Sequence, residues 1–108
     1  MDLIKAQSSK WDCGVSLKEL VEYNKGKCLI DRNSRRTHTY QGPVVYFKYP
    51  GKDNYSIQIA LLSDGFYYRA DRGTTEEEFP LVDAIEGLKE LIKYREEIMN
   101  EEENKKNY

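Results

Sequence analysis

The stretch from Val44 to Arg72, VVYFKYPGKDNYSIQIALLSDGFYYRADR, decides the fold. Runs rich in aromatic and β-branched residues alternate there with turn-forming residues, which predicts antiparallel strands joined by short connections. Pro50–Asn54 supplies the first turn, and Asp64-Gly65, a favoured two-residue hairpin dipeptide, supplies the second. The predicted strands are 44–49, 55–62 and 66–72.

The lengths of the two turns predict which residues lie opposite one another. A five-residue first turn places Val45 opposite Ile59, and a two-residue second turn places Leu61 opposite Tyr68. Both registers put these residues on the same face of the sheet, so the two predictions agree. With one side of the last helix, this face gives the expected core: Val45, Phe47, Ile57, Ile59, Leu61, Tyr68, Leu81, Ile85, Leu88 and Ile92.

Helices are predicted on both sides of this stretch in the sequence. Ser16-Leu17-Lys18-Glu19 is a capping box that opens a short helix, followed by a short strand at 27–32. Leu81, Ile85, Leu88 and Ile92 have the spacing of one helix face, which predicts a helix from Pro80 to about Asn100. The expected fold class is α+β, with three or four antiparallel strands, a short N-terminal helix and a long C-terminal helix packed on one face.

The composition is that of a single domain with no need of disulfides or metals. The chain has 108 residues, 39% of them apolar, and only two cysteines. We expect one domain over 1–108, with an irregular arm at 1–15 and a frayed tail at 101–108. Residues 1–6 lack the basic and apolar regions of a secretory signal, so a cytoplasmic location is expected.

The face of the sheet opposite the core has the composition of a contact surface. Alternation along the strands places tyrosine and basic side chains there, which suit stacking and charge pairing with a partner. A solvated face, or one covered by the N-terminal arm or the first helix, is the alternative. The predicted partner-binding residues on this face are Tyr46, Lys48, Gln58, Tyr67 and Arg69.

The charges are divided unevenly along the chain. Residues 1–50 carry nine Lys/Arg against five Asp/Glu, and residues 51–108 carry eight against fourteen. Glu86, Glu90 and Glu97 on the last helix predict a negative strip that suits a basic groove, although a solvated helix face is the alternative. The basic residues Lys25, Lys27, Arg32, Arg35 and Arg36 suggest a nucleic-acid footprint, with a solvated loop as the alternative.

The sequence contains no recognisable catalytic, metal or cofactor motif. His38 is the only histidine, and neither Cys13 nor Cys28 has the paired spacing of a zinc site or the context of an activated nucleophile. No glycine pattern of a phosphate-binding loop is present. We therefore expect no enzyme activity, no metal and no cofactor.

The order helix, three strands, helix over Ser16–Asn100 resembles the double-stranded-RNA-binding domain, and Gly42-Pro43 is similar to that family's Gly-Pro loop. The resemblance would imply a lysine cluster at the start of the last helix. The corresponding residues here, Glu76–Pro80, are acidic. Binding of an RNA duplex by that route is therefore not expected.

These features together predict a non-catalytic protein that binds a protein partner. Nine tyrosines fit an interface, and the abundance of Tyr, Lys, Asn and Ile suggests a phage or mobile element. We expect a small regulator or inhibitor of a host nucleic-acid-processing or defence enzyme. The alternative is a single-stranded nucleic-acid-binding module that uses the Tyr/Lys/Arg face. A second apolar stripe, Ala84, Leu91 and Ile98, makes a homodimer through the last helix a further prediction.

Overall fold

The computed structural model describes residues 13–37, 40–62, 65–70 and 73–106. The described chain is an α+β domain with one antiparallel sheet in the order β4-β3-β2-β1-β5. Five strands are present, where the sequence predicted three or four. The elements are α1 (Leu17–Tyr23), β1 (Lys27–Thr37), β2 (Tyr40–Lys48), β3 (Tyr55–Leu62), β4 (Gly65–Arg69), β5 (Leu81–Asp83) and α2 (Ala84–Lys106).

The first helix forms as its capping residues predict. The Ser16 hydroxyl accepts a hydrogen bond from the Glu19 amide at 3.1 Å. At the other end, the Gly26 amide donates to the Val21 carbonyl at 2.8 Å and the Lys25 amide donates to the Glu22 carbonyl at 3.1 Å. This pair of bonds is a Schellman motif, which satisfies carbonyls that the helix end leaves free.

The register between β2 and β3 is the predicted one. Val45 lies opposite Ile59, and a bulge after Phe47 then places Lys48 opposite Tyr55. The register between β3 and β4 differs from the prediction: Ile59, not Leu61, lies opposite Tyr68. The strands are thus paired two residues further along, with residues 63–64 between them. Because side chains alternate with a period of two, this shift leaves the same residues on the core face.

The start of the last helix was predicted wrongly. Residues 81–83 form β5, which pairs with β1 through Leu81 opposite Leu29 and Val82 opposite Cys28. The helix begins only at Ala84, after the Asp83 carboxylate accepts a hydrogen bond from the Glu86 amide at 3.1 Å. Leu81 therefore lies on an edge strand with 42% of its surface exposed, outside the core.

Both helices pack on one face of the sheet. Leu17 and Leu20 of α1 and Leu88 and Leu91 of α2 are buried against the strands, whereas Ile85 is only half-buried. The helix is thus rotated from the predicted stripe. Of the other predicted core residues, Val45, Phe47, Ile57, Ile59 and Leu61 are buried, and Tyr68 and Ile92 pack beside them half-buried.

This rotation places the smaller stripe of α2 against the chain's own sheet. Ala84 and Leu91, predicted for a homodimer seam, are 0% and 1% exposed within the core. Gly87 permits the close approach, since a Cβ atom there would lie 3.1 Å from the Cys28 sulfur and 3.2 Å from Val45. The helix continues to Lys106, through most of the predicted frayed tail.

Candidate functional site

The connection from β4 to β5 covers the face of the sheet opposite the helices. The Phe79 ring stacks on the Tyr46 ring with centroids 5.4 Å apart and planes at 11°. Thr74 is bonded by its amide to the Tyr55 carbonyl at 3.0 Å, and the Tyr55 hydroxyl donates to the Glu76 carboxylate at 3.2 Å. A second small core results, formed by Leu29, Val44, Tyr46, Tyr55 and Ala60 with Phe79 packed against it.

The prediction that this sheet face is open is therefore wrong for the centre of the face. Tyr46 and Gln58 are only 6% and 4% exposed. The Gln58 amide donates to the Tyr46 hydroxyl at 2.8 Å, while its carbonyl oxygen has no hydrogen-bond partner among the described residues. Lys48, Tyr67 and Arg69 are half-buried around this centre. The N-terminal arm, predicted as a possible cover of this face, consists mainly of residues 1–12, which lie outside the described part of the chain.

A cleft rich in lysine lies where α1 meets the turn between β2 and β3. It has a volume of about 370 Å³, and we call it the lysine cleft. Lys48 holds its amine 5.0 Å from the centre of the Tyr55 ring, a cation–π contact at the wall of the cleft. The lining residues are Tyr23, Asn24, Lys25, Lys48, Lys52, Asp53 and Tyr55.

Hydrogen bonds hold the walls of the lysine cleft together. The Asn24 side chain donates to the Lys48 carbonyl at 3.1 Å and accepts from the Lys48 amide at 3.0 Å, which fixes the end of α1 to β2. The Tyr23 hydroxyl accepts from the Gly51 amide at 3.0 Å, and 43% of Tyr23 stays exposed. The cleft is thus held by α1, β2 and the turn together.

Of the predicted basic residues, the three whose side chains are described do not form one patch. Lys25 lines the lysine cleft and Lys27 lies opposite Asp83 at the start of β1. Arg32 lies five residues further along the strand, about 17 Å away, and forms a bidentate pair with Glu90 at 2.9 and 3.1 Å. The side chains of Arg35 and Arg36 lie outside the described residues.

The predicted acidic strip on α2 is partly neutralised. Glu90 is paired with Arg32, and the hydrogen bond to Glu90 raises the pKa of Arg32. Glu86 lies 3.5 Å from the Lys89 amine on the exposed surface, where such a pair contributes little. Glu97 lines a shallow cleft of about 280 Å³ that also contains Arg32 and Lys93.

Tyr94 joins α2 to the hairpin of β1 and β2. Its hydroxyl donates to the Gln41 carbonyl, and its ring covers Gly42. A Cβ atom at Gly42 would lie 2.4 Å from the tyrosine ring, and the φ angle of +153° there is one that L-residues rarely adopt. The middle of α2 is therefore packed against the hairpin at this point.

The outer edge of β5 is exposed. The Ile30 amide donates to the Pro80 carbonyl at 3.1 Å, and hydrogen-bonded pairs alternate along an antiparallel ladder. The amide and carbonyl groups of Leu81 and the amide of Asp83 therefore point away from β1, and no described strand pairs with them. The Asp83 carbonyl differs, because at the N-cap of α2 it accepts the first bond of the helix. Three exposed carboxylates, those of Glu77, Asp83 and Glu86, lie in the sequence on either side of Leu81.

The two cysteines are buried or half-buried. Cys28 is buried, and burial together with the Asp83 and Glu90 carboxylates raises the pKa of its thiol from 9.0 to about 12. Cys13 is half-buried and its thiol donates to the Val15 carbonyl at 3.2 Å. His38 lies outside the described residues. No group of His, Cys, Asp and Glu side chains in the described part of the chain can hold a metal ion.

The described helices also do not reach across a membrane, since none of them is both long and apolar enough. Comparison of the chain with protein-family models, with curated proteins and with solved structures found no match. The function proposed below therefore rests on the geometry of the chain itself.

Proposed function

We propose that this chain is a non-catalytic binding protein that recognises a protein partner along the outer edge of β5. The observation that carries the proposal is the set of outward backbone groups, the amide and carbonyl of Leu81 and the amide of Asp83, beside a leucine that is 42% exposed. An extended polypeptide satisfies such an edge with its own amides and carbonyls. A nucleic acid lacks a backbone with alternating donors and acceptors, so this edge favours a protein.

The side chains around the edge define the kind of segment that fits. Leu81 calls for an apolar residue on the partner strand, and the carboxylates of Glu77, Asp83 and Glu86 call for basic residues beside it. Of the partner-binding residues predicted from the sequence, Glu86 belongs to this surface, while the buried Tyr46 and Gln58 do not.

A partner with basic residues is consistent with the predicted role of this chain as a regulator or inhibitor of an enzyme. Enzymes that process nucleic acid present basic surfaces to their substrates. A chain that binds such a surface through an acidic sheet edge would inhibit the enzyme by excluding its nucleic-acid substrate. The phage or mobile-element origin rests on composition alone and stays a prediction.

The experiment is an affinity pull-down from a bacterial lysate, treated or not treated with nuclease and read by mass spectrometry. We expect one protein to be retained in stoichiometric amount after nuclease treatment. Leu81→Pro should lose it, because proline removes the outward amide without breaking a bond to β1. Leu81→Ala, which keeps the amide, should retain part of the binding.

The control is Glu96→Ala, a change of an exposed residue on α2 away from the edge, which should bind as the wild type does. Thermal unfolding checks that each variant remains folded. Equal retention by folded Leu81→Pro and Glu96→Ala would contradict the edge as the site. Loss of the retained protein on nuclease treatment would contradict direct protein recognition.

A further inference from the structure

We propose that the lysine cleft is a second binding site, separate from the β5 edge, and that its ligand is single-stranded nucleic acid. The cleft unites three lysines that the sequence keeps apart: Lys25 follows α1, Lys48 ends β2 and Lys52 lies in the turn. Asp53 is the one acidic residue in its lining. The balance of charge is positive, in a chain whose net charge is −2.

Tyr23 adds to the basic side chains an aromatic ring on which a base can stack. Tyr23 is 43% exposed beside the lysines, and the bond from the Gly51 amide to its hydroxyl holds the end of the ring. A fixed aromatic ring beside basic side chains is the usual platform for an unpaired base, with the phosphates on the basic groups. Tyr55 cannot serve in this way, because it is 6% exposed and Lys48 already lies over its ring.

The backbone at Lys25 is a second, independent observation. Lys25 has a φ angle of +57°, in the left-handed region, at the Schellman position that glycine normally occupies. A lysine is strained there, and strain at one residue is often associated with function. In this conformation Lys25 lines the cleft, where its charge can contact a phosphate of the ligand.

An acidic polypeptide would also be attracted by three lysines, but it could stack on the exposed ring only where it has an aromatic residue, whereas every nucleotide of a single strand carries a base. Single-stranded nucleic acid uses both features of the cleft. It also differs from duplex RNA, whose stacked bases cannot reach Tyr23. The observations therefore favour a flexible single strand.

The test is fluorescence anisotropy of a labelled twelve-nucleotide oligothymidylate with the full chain. We expect binding at low salt that weakens with a log–log salt slope of about −2, since a single strand contributes about −0.7 for each phosphate contact. Tyr23→Ala should weaken binding at least about fivefold through lost stacking. Tyr23→Phe, which keeps the ring but loses the bond from the Gly51 amide, should bind more tightly than Tyr23→Ala and no more tightly than the wild type.

Lys52→Ala and Lys25→Gly should each weaken binding and make the salt slope shallower by about 0.7. Lys93→Ala removes the same charge from the exposed face of α2 and is the matched control, for which no change is expected. Circular dichroism shows that each variant is folded.

Three results would overturn the proposal: no binding of the oligonucleotide at low salt, equal losses for Lys93→Ala and Lys52→Ala, or equal competition by polyglutamate and unlabelled oligonucleotide. The last result would assign the cleft to an acidic polypeptide. None of these results bears on the β5 edge, so the two proposals fail separately.

Discussion

Lys25 is the residue at which we expect the side chain to lower the stability of the fold. Its left-handed backbone, at φ +57°, suits glycine better than lysine. We expect Lys25→Gly to raise the free energy of unfolding by about 0.5–1 kcal/mol, because the relief of strain outweighs the added flexibility of the unfolded chain. Urea denaturation followed by circular dichroism measures the change.

Lys27→Gly is the matched control for this prediction. Lys27 is two residues further on, in the extended backbone of β1, so the same change should lower stability by about 0.5–1 kcal/mol. A loss of stability in both variants would show that the Lys25 backbone is not strained. A gain in Lys25→Gly together with weaker oligonucleotide binding would mean that stability and binding oppose one another at this residue.

Cys28 makes the stability of the fold sensitive to alkali. Burial, and then the nearby carboxylates, raise the pKa of its thiol from 9.0 to about 12. The unfolded chain therefore releases this proton first, and the free energy of unfolding should fall as the pH rises from about 9 towards 12, by at most about 1.4 kcal/mol per pH unit. Burial and the bond to Glu76 likewise raise the pKa of Tyr55 to about 12, which adds to the fall above pH 10.

Urea denaturation at several pH values between about 8 and 11 tests this pH dependence. Cys28→Ala should show a shallower decline, because only Tyr55 then contributes from this pair. The comparison concerns the slopes, since the alanine variant also loses packing at every pH. Identical slopes would exclude the thiol as the cause.

The rotation of α2 is tested by comparing two of its apolar residues. Leu91 is 1% exposed in the core, whereas Ile85, which the sequence predicted to be buried, is half-buried. We expect Leu91→Ala to cost about 2–5 kcal/mol of unfolding free energy and Ile85→Ala less than about 2. The reverse order in thermal or urea unfolding would restore the predicted stripe.

The sequence could predict those elements whose signals are local. The capping box at Ser16 and the five-residue turn after Tyr49 each involve neighbouring residues, so α1 and the pairing of β2 with β3 follow from them. The strand β5 carries no such signal, because its three residues pair with β1 more than fifty positions away. Leu81 also continues the helical spacing, so the pattern favoured the wrong element.

The candidate sites depended still more on distant contacts. Alternation placed Tyr46 and Gln58 correctly on the face opposite the helices, but it could not predict that Phe79, thirty-three positions from Tyr46, stacks on the Tyr46 ring. The lysine cleft was missed because its lysines come from three separate elements. For the covered sheet face, Phe79 was the one local hint, since an aromatic residue between Glu78 and Pro80 predicts burial. It does not predict which surface the ring contacts.

We expect the 108-residue chain to be a monomer because of the charges around β5. Ala84 and Leu91 of the proposed seam are buried within each copy and Ile98 is half-buried, so among the described surfaces we consider the exposed edge of β5 for pairing of two copies. Pairing of two β5 edges would bring the carboxylates around Leu81 of one copy against those of the other, and like charges in contact are unfavourable. We expect sedimentation equilibrium to give 12.7 kDa at neutral pH and low salt. A species of twice that mass that Leu81→Pro abolishes would mean that the edge accepts its own copy despite the charges. A partner strand with basic side chains meets no such repulsion, so the same carboxylates that keep the chain monomeric would select its partner.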